Sequence, residues 1–180
     1  MRVLGAILAG GASMRFGSDK AHARLGSTTL LERTMTAITP QTDGLVVCGR
    51  EWPAITTLAD RPRPGMGPLA GLNAALDHAR LEGFDAVLCV PIDVHPLPEN
   101  LRQLLQGDDA RVLANQHIIG FWPVGLAEQL AEHLEGGEYS LRSWIAASGA
   151  IPMNDAELGL INVNRVDDLS GLAARAGNAS

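Results

Sequence analysis

Apolar residues fall in short unbroken runs, and these alternate with segments of helical period and with glycine- or proline-rich breaks. Residues 3–8, Val-Leu-Gly-Ala-Ile-Leu, form the kind of run that reads as a strand buried on both faces. Residues 9–20 are rich in Gly and Ser and predict a loop. Leu30, Leu31, Met35 and Ile38 recur near helical spacing ahead of Pro40, which predicts a helix over 29–38. Strands follow at 45–48 and 54–58. A Pro/Gly-rich loop over 61–67 opens a helix over about 69–81. Residues 86–90 make the clearest strand after the first, ended by Pro91. Further helical patterns lie at 98–105, 125–134 and 141–147, and strand-like runs at 111–114, 118–122 and 160–163. Residues 166–175 predict a last helix, and 177–180 a frayed tail.

Strand alternating with helix predicts an α/β fold with a mostly parallel sheet flanked by helices and joined by right-handed crossovers. No repeat or linker divides the chain, so one Rossmann-like domain over residues 1–176 is expected. The composition agrees: 46% of residues are apolar and only 4% aromatic, which suits helices and parallel strands better than a β-sandwich. A formal net charge of −6 lacks the basic footprint of a nucleic-acid binder and points to a small-molecule partner. No apolar run approaches the ~20 residues that span a bilayer. The N-terminal run leads into a loop rather than a cleavage site, so no membrane partner and a cytoplasmic location are expected. Cys48 and Cys89 each sit inside an apolar run, without a Cys or His at metal-ligand spacing, and read as reduced thiols buried in strands.

The chemistry concentrates after the first strand, in Leu8-Ala9-Gly10-Gly11-Ala12-Ser13-Met14-Arg15-Phe16-Gly17-Ser18-Asp19-Lys20. Open α/β sheets bind ligands beyond the carboxyl ends of their strands, where this loop must lie. Gly10 and Gly11 let backbone N–H groups approach a phosphate, and Arg15 and Lys20 supply two cations for a polyphosphate. The spacing is neither a Walker A loop, which needs Lys directly after its second Gly, nor a G-x-G-x-x-G dinucleotide fingerprint.

This loop resembles the signature L-A-G-G-x-S-x-R-x-G-x-D-K of the molybdenum cofactor guanylyltransferases, the MobA type, and more loosely that of nucleotidyltransferases acting on sugar phosphates. Three further blocks extend the resemblance along the chain. Asp60 stands ahead of Gly67-Pro68-Leu69-Ala70-Gly71, similar to the family's G-P-L-A-G block. Asp93 follows Val90-Pro91-Ile92, where the family usually has Cys before the aspartate. Asn162-Val163-Asn164 resembles the terminal N-V-N block, with Arg165-Val166-Asp167 in place of Thr-Pro-Glu. The turn Cys48-Gly49-Arg50 occupies the place of an asparagine that often contacts the base in the family.

The resemblance implies transfer of GMP from GTP to the molybdopterin form of molybdenum cofactor, with Mg²⁺ as cofactor and pyrophosphate released. It implies that the loop, including Leu8, Ala9, Gly10 and Gly11, wraps the triphosphate with Arg15 and Lys20 on phosphates, and that Asp93 binds Mg²⁺. Asp60 suits the nucleoside, since a carboxylate accepts from guanine N1–H and its exocyclic amine or from ribose hydroxyls. Alternation in a strand puts Asn162 and Asn164 on one face, toward a pterin or a metal-bound water. His95 reads as a turn histidine rather than a ligand, and Phe121, Trp122 and Trp144 as core. The resemblance also implies molybdoenzyme chaperones as recipients of the product. The rival readings are a cytidylyltransferase on the same cofactor, transfer onto a sugar or polyol phosphate, and a non-catalytic nucleotide-binding maturation partner. The L-A-G-G form favours guanine, because the cytidine branch more often reads L-A-A-G.

Overall fold

The computed structural model describes residues 1–10, 22–25, 27–163 and 168 of the 180-residue chain. Strand β1 (Val3–Leu8) is wholly buried, and its side chains divide between the two faces of the sheet. Leu4, Ala6 and Leu8 enter one apolar cluster, Val3 and Ile7 the other. A two-residue hairpin, β2 (Arg24–Leu25) with β3 (Thr28–Thr29), leads into α1 (Leu30–Ile38). Thr29 caps that helix: its side chain accepts from the Glu32 backbone N–H while Glu32 reaches back to the Thr29 N–H, so two orphan donors are satisfied together.

β4 (Gly44–Cys48) and β5 (Thr56–Leu58) follow, then α2 (Pro68–Leu81), β6 (Ala86–Pro91) and the short β7 (Val94–His95). The second half holds α3 (Leu101–Leu105), β8 (Arg111–Leu113), β9 (Gly120–Pro123), α4 (Ala127–Glu135), α5 (Leu141–Ser148), β10 (Ile151–Met153) and β11 (Ile161–Asn162). Among the described residues a seven-stranded sheet runs β10-β8-β9-β6-β1-β4-β5. β9 pairs antiparallel with both neighbours, and the other pairings in that sheet are parallel. The α/β reading therefore holds, with one reversed strand inside the sheet.

One face of the sheet packs under α2, α4 and α5 through Leu69, Leu72, Leu76, Leu130, Trp122 and Trp144. The opposite face packs under α1 and α3 through Leu31, Ile38, Leu101 and Leu105. Phe121, Trp122 and Trp144 are core, and Cys48 and Cys89 are free buried thiols, as the sequence implies.

The elements differ from the expected ones in several places: β2, β3 and β7 are strands where none is expected, and His95, expected in a turn, lies in β7. The run at 160–163 does not join the main sheet; β11 pairs antiparallel with β7 in a separate two-stranded ribbon. A strand also forms at Ile151-Pro152-Met153, where none was expected. It is an edge strand, where proline's missing N–H costs no ladder bond. The helix expected at 166–175 lies, apart from residue 168, outside the described residues.

Candidate nucleotide-transfer site

The carboxyl ends of β1, β4 and β6 form the edge from which the site is built. Ala9 donates its N–H to the Cys48 carbonyl at 3.0 Å, Gly49 donates to Leu58 O at 2.9 Å, and Ile92 donates to Leu8 O at 3.3 Å. These bonds continue the ladders one step past the strands and hold the start of the glycine loop against both neighbouring turns. Arg50, half-buried, adds a bond from Nε to Ala9 O at 3.3 Å, and burial lowers its pKa.

Three glycines bring the Asp60 carboxylate onto this edge. A Cβ on Gly10 would lie 3.2 Å from Asp60 Oδ2, and one on Gly71 would lie 3.4 Å from Asp60 Oδ1. Gly49, at φ +79°, leaves still less room: its Cβ would meet Gly10 Cα at 2.7 Å and Asp60 Oδ1 at 3.0 Å. Gly71 also admits α2 to the sheet, since a Cβ there would stand 2.8 Å from Leu8 Cδ2 and 3.3 Å from Cys48 Cβ. The G-P-L-A-G block thus acts through packing as well as through the helix end it opens. Just after Asp60 the chain is tied to α2, because Arg61 donates its N–H to Ala70 O at 3.1 Å and Asn73 Nδ2 donates to Arg61 O at 3.4 Å. The Arg61 guanidinium pairs with Asp77, which also pairs with Arg80. Burial pushes the Asp60 carboxyl above its ordinary value. Burial and the charge of Asp60 push the Cys48 thiol up to about 12, so it is neither nucleophile nor metal ligand at neutral pH.

Asp93 lies across β1 from Asp60, just beyond the end of β6. Strands about 4.8 Å apart put the ends of β4 and β6, on either side of β1, about 10 Å from each other, the scale of a nucleotide. The Asp93 carbonyl accepts from the Val163 N–H at 2.7 Å, and Asn162 pairs opposite Val94 with its residue exposed. The ribbon of β7 and β11 therefore holds the backbone of Asn162 and Val163 against the turn that carries Asp93. His95 is buried and its Nε2 lies 2.9 Å from Ile92 O, so that nitrogen is the N–H donor to a carbonyl and is closed to a metal. Burial lowers its pKa.

Leu8, Ala9, Gly10 and Asp60 thus gather at one end of the edge, and Asp93 with Asn162 at the other. Gly11, Arg15, Lys20 and Asn164 lie outside the described residues. The sequence marks Gly49 and Arg50 through the Cys48-Gly49-Arg50 turn and Gly71 through the G-P-L-A-G block, but not their meeting with Asp60 and Ala9. Among the described residues no group of three or more His, Cys, Asp or Glu could hold a metal, so any ion here rests on few protein ligands.

A family model described as the MobA-like NTP transferase domain matches residues 5–151. The chain belongs to this family. A molybdenum cofactor guanylyltransferase of Cereibacter sphaeroides is 33% identical over 183 aligned positions, covering 94% of this chain and 95% of the relative. One of Acidiphilium cryptum is 32% identical, covering 95% of this chain and 93% of the relative. The MobA-like fold is shared with the crystal structure of molybdopterin-guanine dinucleotide biosynthesis protein A from Archaeoglobus fulgidus, at a TM-score of 0.76 and 22% identity over 97% of this chain and 99% of that one. It is also shared with 2-C-methyl-D-erythritol 4-phosphate cytidylyltransferase of Thermus thermophilus, at a TM-score of 0.69 and 16% identity over 95% of this chain and 97% of that one. This MobA-like chain is a nucleotidyltransferase.

Proposed function

We propose that the chain transfers GMP from GTP to the molybdopterin form of molybdenum cofactor. The observation that carries this reading is the pair of relatives named for that activity, each about a third identical along nearly the whole chain. A terminal phosphate oxygen of the acceptor attacks the α-phosphorus of GTP. The bond from that phosphorus to the bridging oxygen breaks, and pyrophosphate leaves with the electron pair. The attacking phosphate is already ionised near neutrality, so the protein's work is positioning and charge neutralisation rather than proton abstraction.

Asp60, held against Gly10 and Gly49, takes the nucleoside, with its carboxylate accepting from paired donors. Leu8, Ala9, Gly10 and Gly11 offer backbone groups to the phosphates, and Arg15 and Lys20 offer charge. Asp93 would hold Mg²⁺. A carboxylate is the hard-oxygen anchor this ion takes, and it keeps most of its remaining sites for phosphate and water. When bound, the ion neutralises charge on phosphate oxygens. Asn162 and Asn164 serve the acceptor side.

The test is equilibrium binding of GTP, CTP, ATP and UTP with Mg²⁺, followed by pyrophosphate release with the molybdopterin acceptor. GTP binds more tightly than CTP by about one to two decades, the consequence of leaving a buried acceptor unpaired at about 1–3 kcal/mol. Equal binding of CTP would overturn the guanine assignment and leave the family untouched.

A further inference from the structure

We propose that Asp155 is a positioning residue for the acceptor half of the site, a role that rests on the guanylyltransferase reading. It locks the segment carrying Asn162 to the turn after β8. β8 and β10 run parallel to the carboxyl edge, and Ala114 continues their ladder with a bond to Met153 O at 2.9 Å. One step further Asn115 turns its donors onto one carboxylate: its backbone N–H reaches Asp155 Oδ1 at 3.1 Å and Oδ2 at 3.3 Å, and its Nδ2 reaches Oδ1 at 2.6 Å. Asp155 is 5% exposed, so this carboxylate is taken almost wholly out of water to make the lock. Removing a partner of such a group costs more than removing a surface contact.

From Asp155 the chain makes a short 3-10 turn, Ala156–Leu158, in which Leu158 donates to Asp155 O at 3.1 Å. Leu158 and Leu160 then pack on the sheet, β11 pairs with β7, and Val163 reaches Asp93 O. Residues 155–163 thus form a strap across the carboxyl edge, pinned at one end to Asn115 and at the other to Asp93. The strap decides where Asn162 lies relative to the Asp93 turn, and Asp155 fixes its far end.

The same lock sets the turn 115–119, closed by Ile119 N donating to Gln116 O at 2.8 Å and Leu113 N donating to Ile119 O at 3.0 Å. β8 is two strands from β6, so this turn stands about 10 Å along the edge from Asp93. The turn carries exposed Asn115 and half-buried His117.

The experiment measures KM for the molybdopterin acceptor, KM for GTP and kcat in wild type, Asp155→Ala and Asp155→Asn, with amide hydrogen exchange alongside. Asp155→Ala raises the acceptor KM about tenfold or more, a shift of about 1.4 kcal/mol or more, while GTP KM stays within about twofold of wild type. Asp155→Asn keeps an oxygen for the Asn115 N–H and recovers part of the loss. Exchange quickens in peptides covering 114–119 and 154–163 and not in those covering β1. Should Asp155→Ala be too unstable to purify, Asn115→Ala removes only the side-chain donor and shifts the acceptor KM in the same direction. Equal rises in both KM values, or faster exchange with an unchanged acceptor KM, overturn the positioning role alone. A wild type that binds GTP yet transfers no GMP overturns the guanylyltransferase reading and this inference with it.

Discussion

The Val163 N–H donates to the Asp93 carbonyl at 2.7 Å, so a residue near the end of the described chain fixes the turn that follows the central strand β6. The side chain of Val163 is fully buried against Leu30, the first residue of α1. One residue therefore links the Asp93 turn to the helix that follows the glycine loop. The half of the site built around Asp93 is complete only when the last strand has docked. That dependence gives the strap a functional weight its two-residue strand would not suggest.

Gly49→Ala tests the cradle that holds Asp60. An alanine at φ +79° costs about 1–2 kcal/mol in backbone strain, and its Cβ would displace both Gly10 and the Asp60 carboxylate. The variant unfolds a few degrees earlier, by about 4–8 °C, and binds GTP at least about tenfold more weakly. Calorimetric titration with GTP and a thermal melt check both. Wild-type affinity in a destabilised variant would mean that the nucleoside does not rest on this turn.

Asp60→Asn separates stability from binding. Burial raises the folded pKa of Asp60 above its unfolded value. The favourable contribution is therefore present below the unfolded value near 3.8 and is lost as pH rises through the raised folded one. At pH 7 the ionised carboxylate is a cost to the empty protein, and the amide removes it. The variant melts about 1–3 °C higher at pH 7, converges with wild type below about pH 4, and loses about a decade in GTP affinity. Melting curves across pH with GTP titrations test it; a lower melting temperature at pH 7 would show that the carboxylate is stabilising where it sits.

How much of this was legible follows from which forces act locally. β1, β4, α2 and β6 lie within a residue or two of their expected bounds, because buried strands leave unbroken apolar runs and the Pro/Gly loop marks where α2 opens. β7, β10 and β11 are two or three residues long and carry no period to read. The reversal of β9 is set by its connections and partners, not by its own residues. In the site, Gly10, Asp60 and Asp93 were legible from residue type and position at strand ends. The meeting of Gly10, Gly49, Asp60 and Gly71 was not, because it exists only when three strands and α2 come together. The lock between Asn115 and Asp155 was hidden for the same reason: two polar loop residues show no sign of each other until β8 and β10 pair.

Gly71→Ala probes the contact that seats α2. Its added methyl would meet Leu8 Cδ2 at 2.8 Å, and the neighbouring Cys48 Cβ at 3.3 Å leaves little room to move. Overpacking of this kind costs about 1–3 kcal/mol, against which alanine's better helix propensity returns up to about 1 kcal/mol. The net result is a protein that melts lower and binds GTP more weakly, since Leu8 and Asp60 both flank the new methyl. Melts and GTP titrations check it, and a more stable variant with unchanged affinity would show that α2 shifts outward without cost to the site.

Asp93→Asn bears most directly on the chemistry. Asp93 stands two residues past Pro91, the last ladder partner of β6, with Ile92 between. Its backbone is fixed independently of its side chain, through the carbonyl that receives Val163. The substitution keeps shape and that backbone bond, so the fold and nucleotide binding persist. It removes the charge that makes a carboxylate a better anchor for Mg²⁺ than an amide. Neutralising phosphate charge matters most in the transition state, so the loss falls on kcat more than on GTP affinity. A drop in kcat on the order of a hundredfold is expected, with the magnesium curve shifted to higher concentration or flattened. The measurement is a magnesium titration of pyrophosphate release at saturating GTP and acceptor, run beside a thermal melt. A variant with the wild-type magnesium curve and rate would make Asp93 an ordinary turn residue and move the metal site elsewhere.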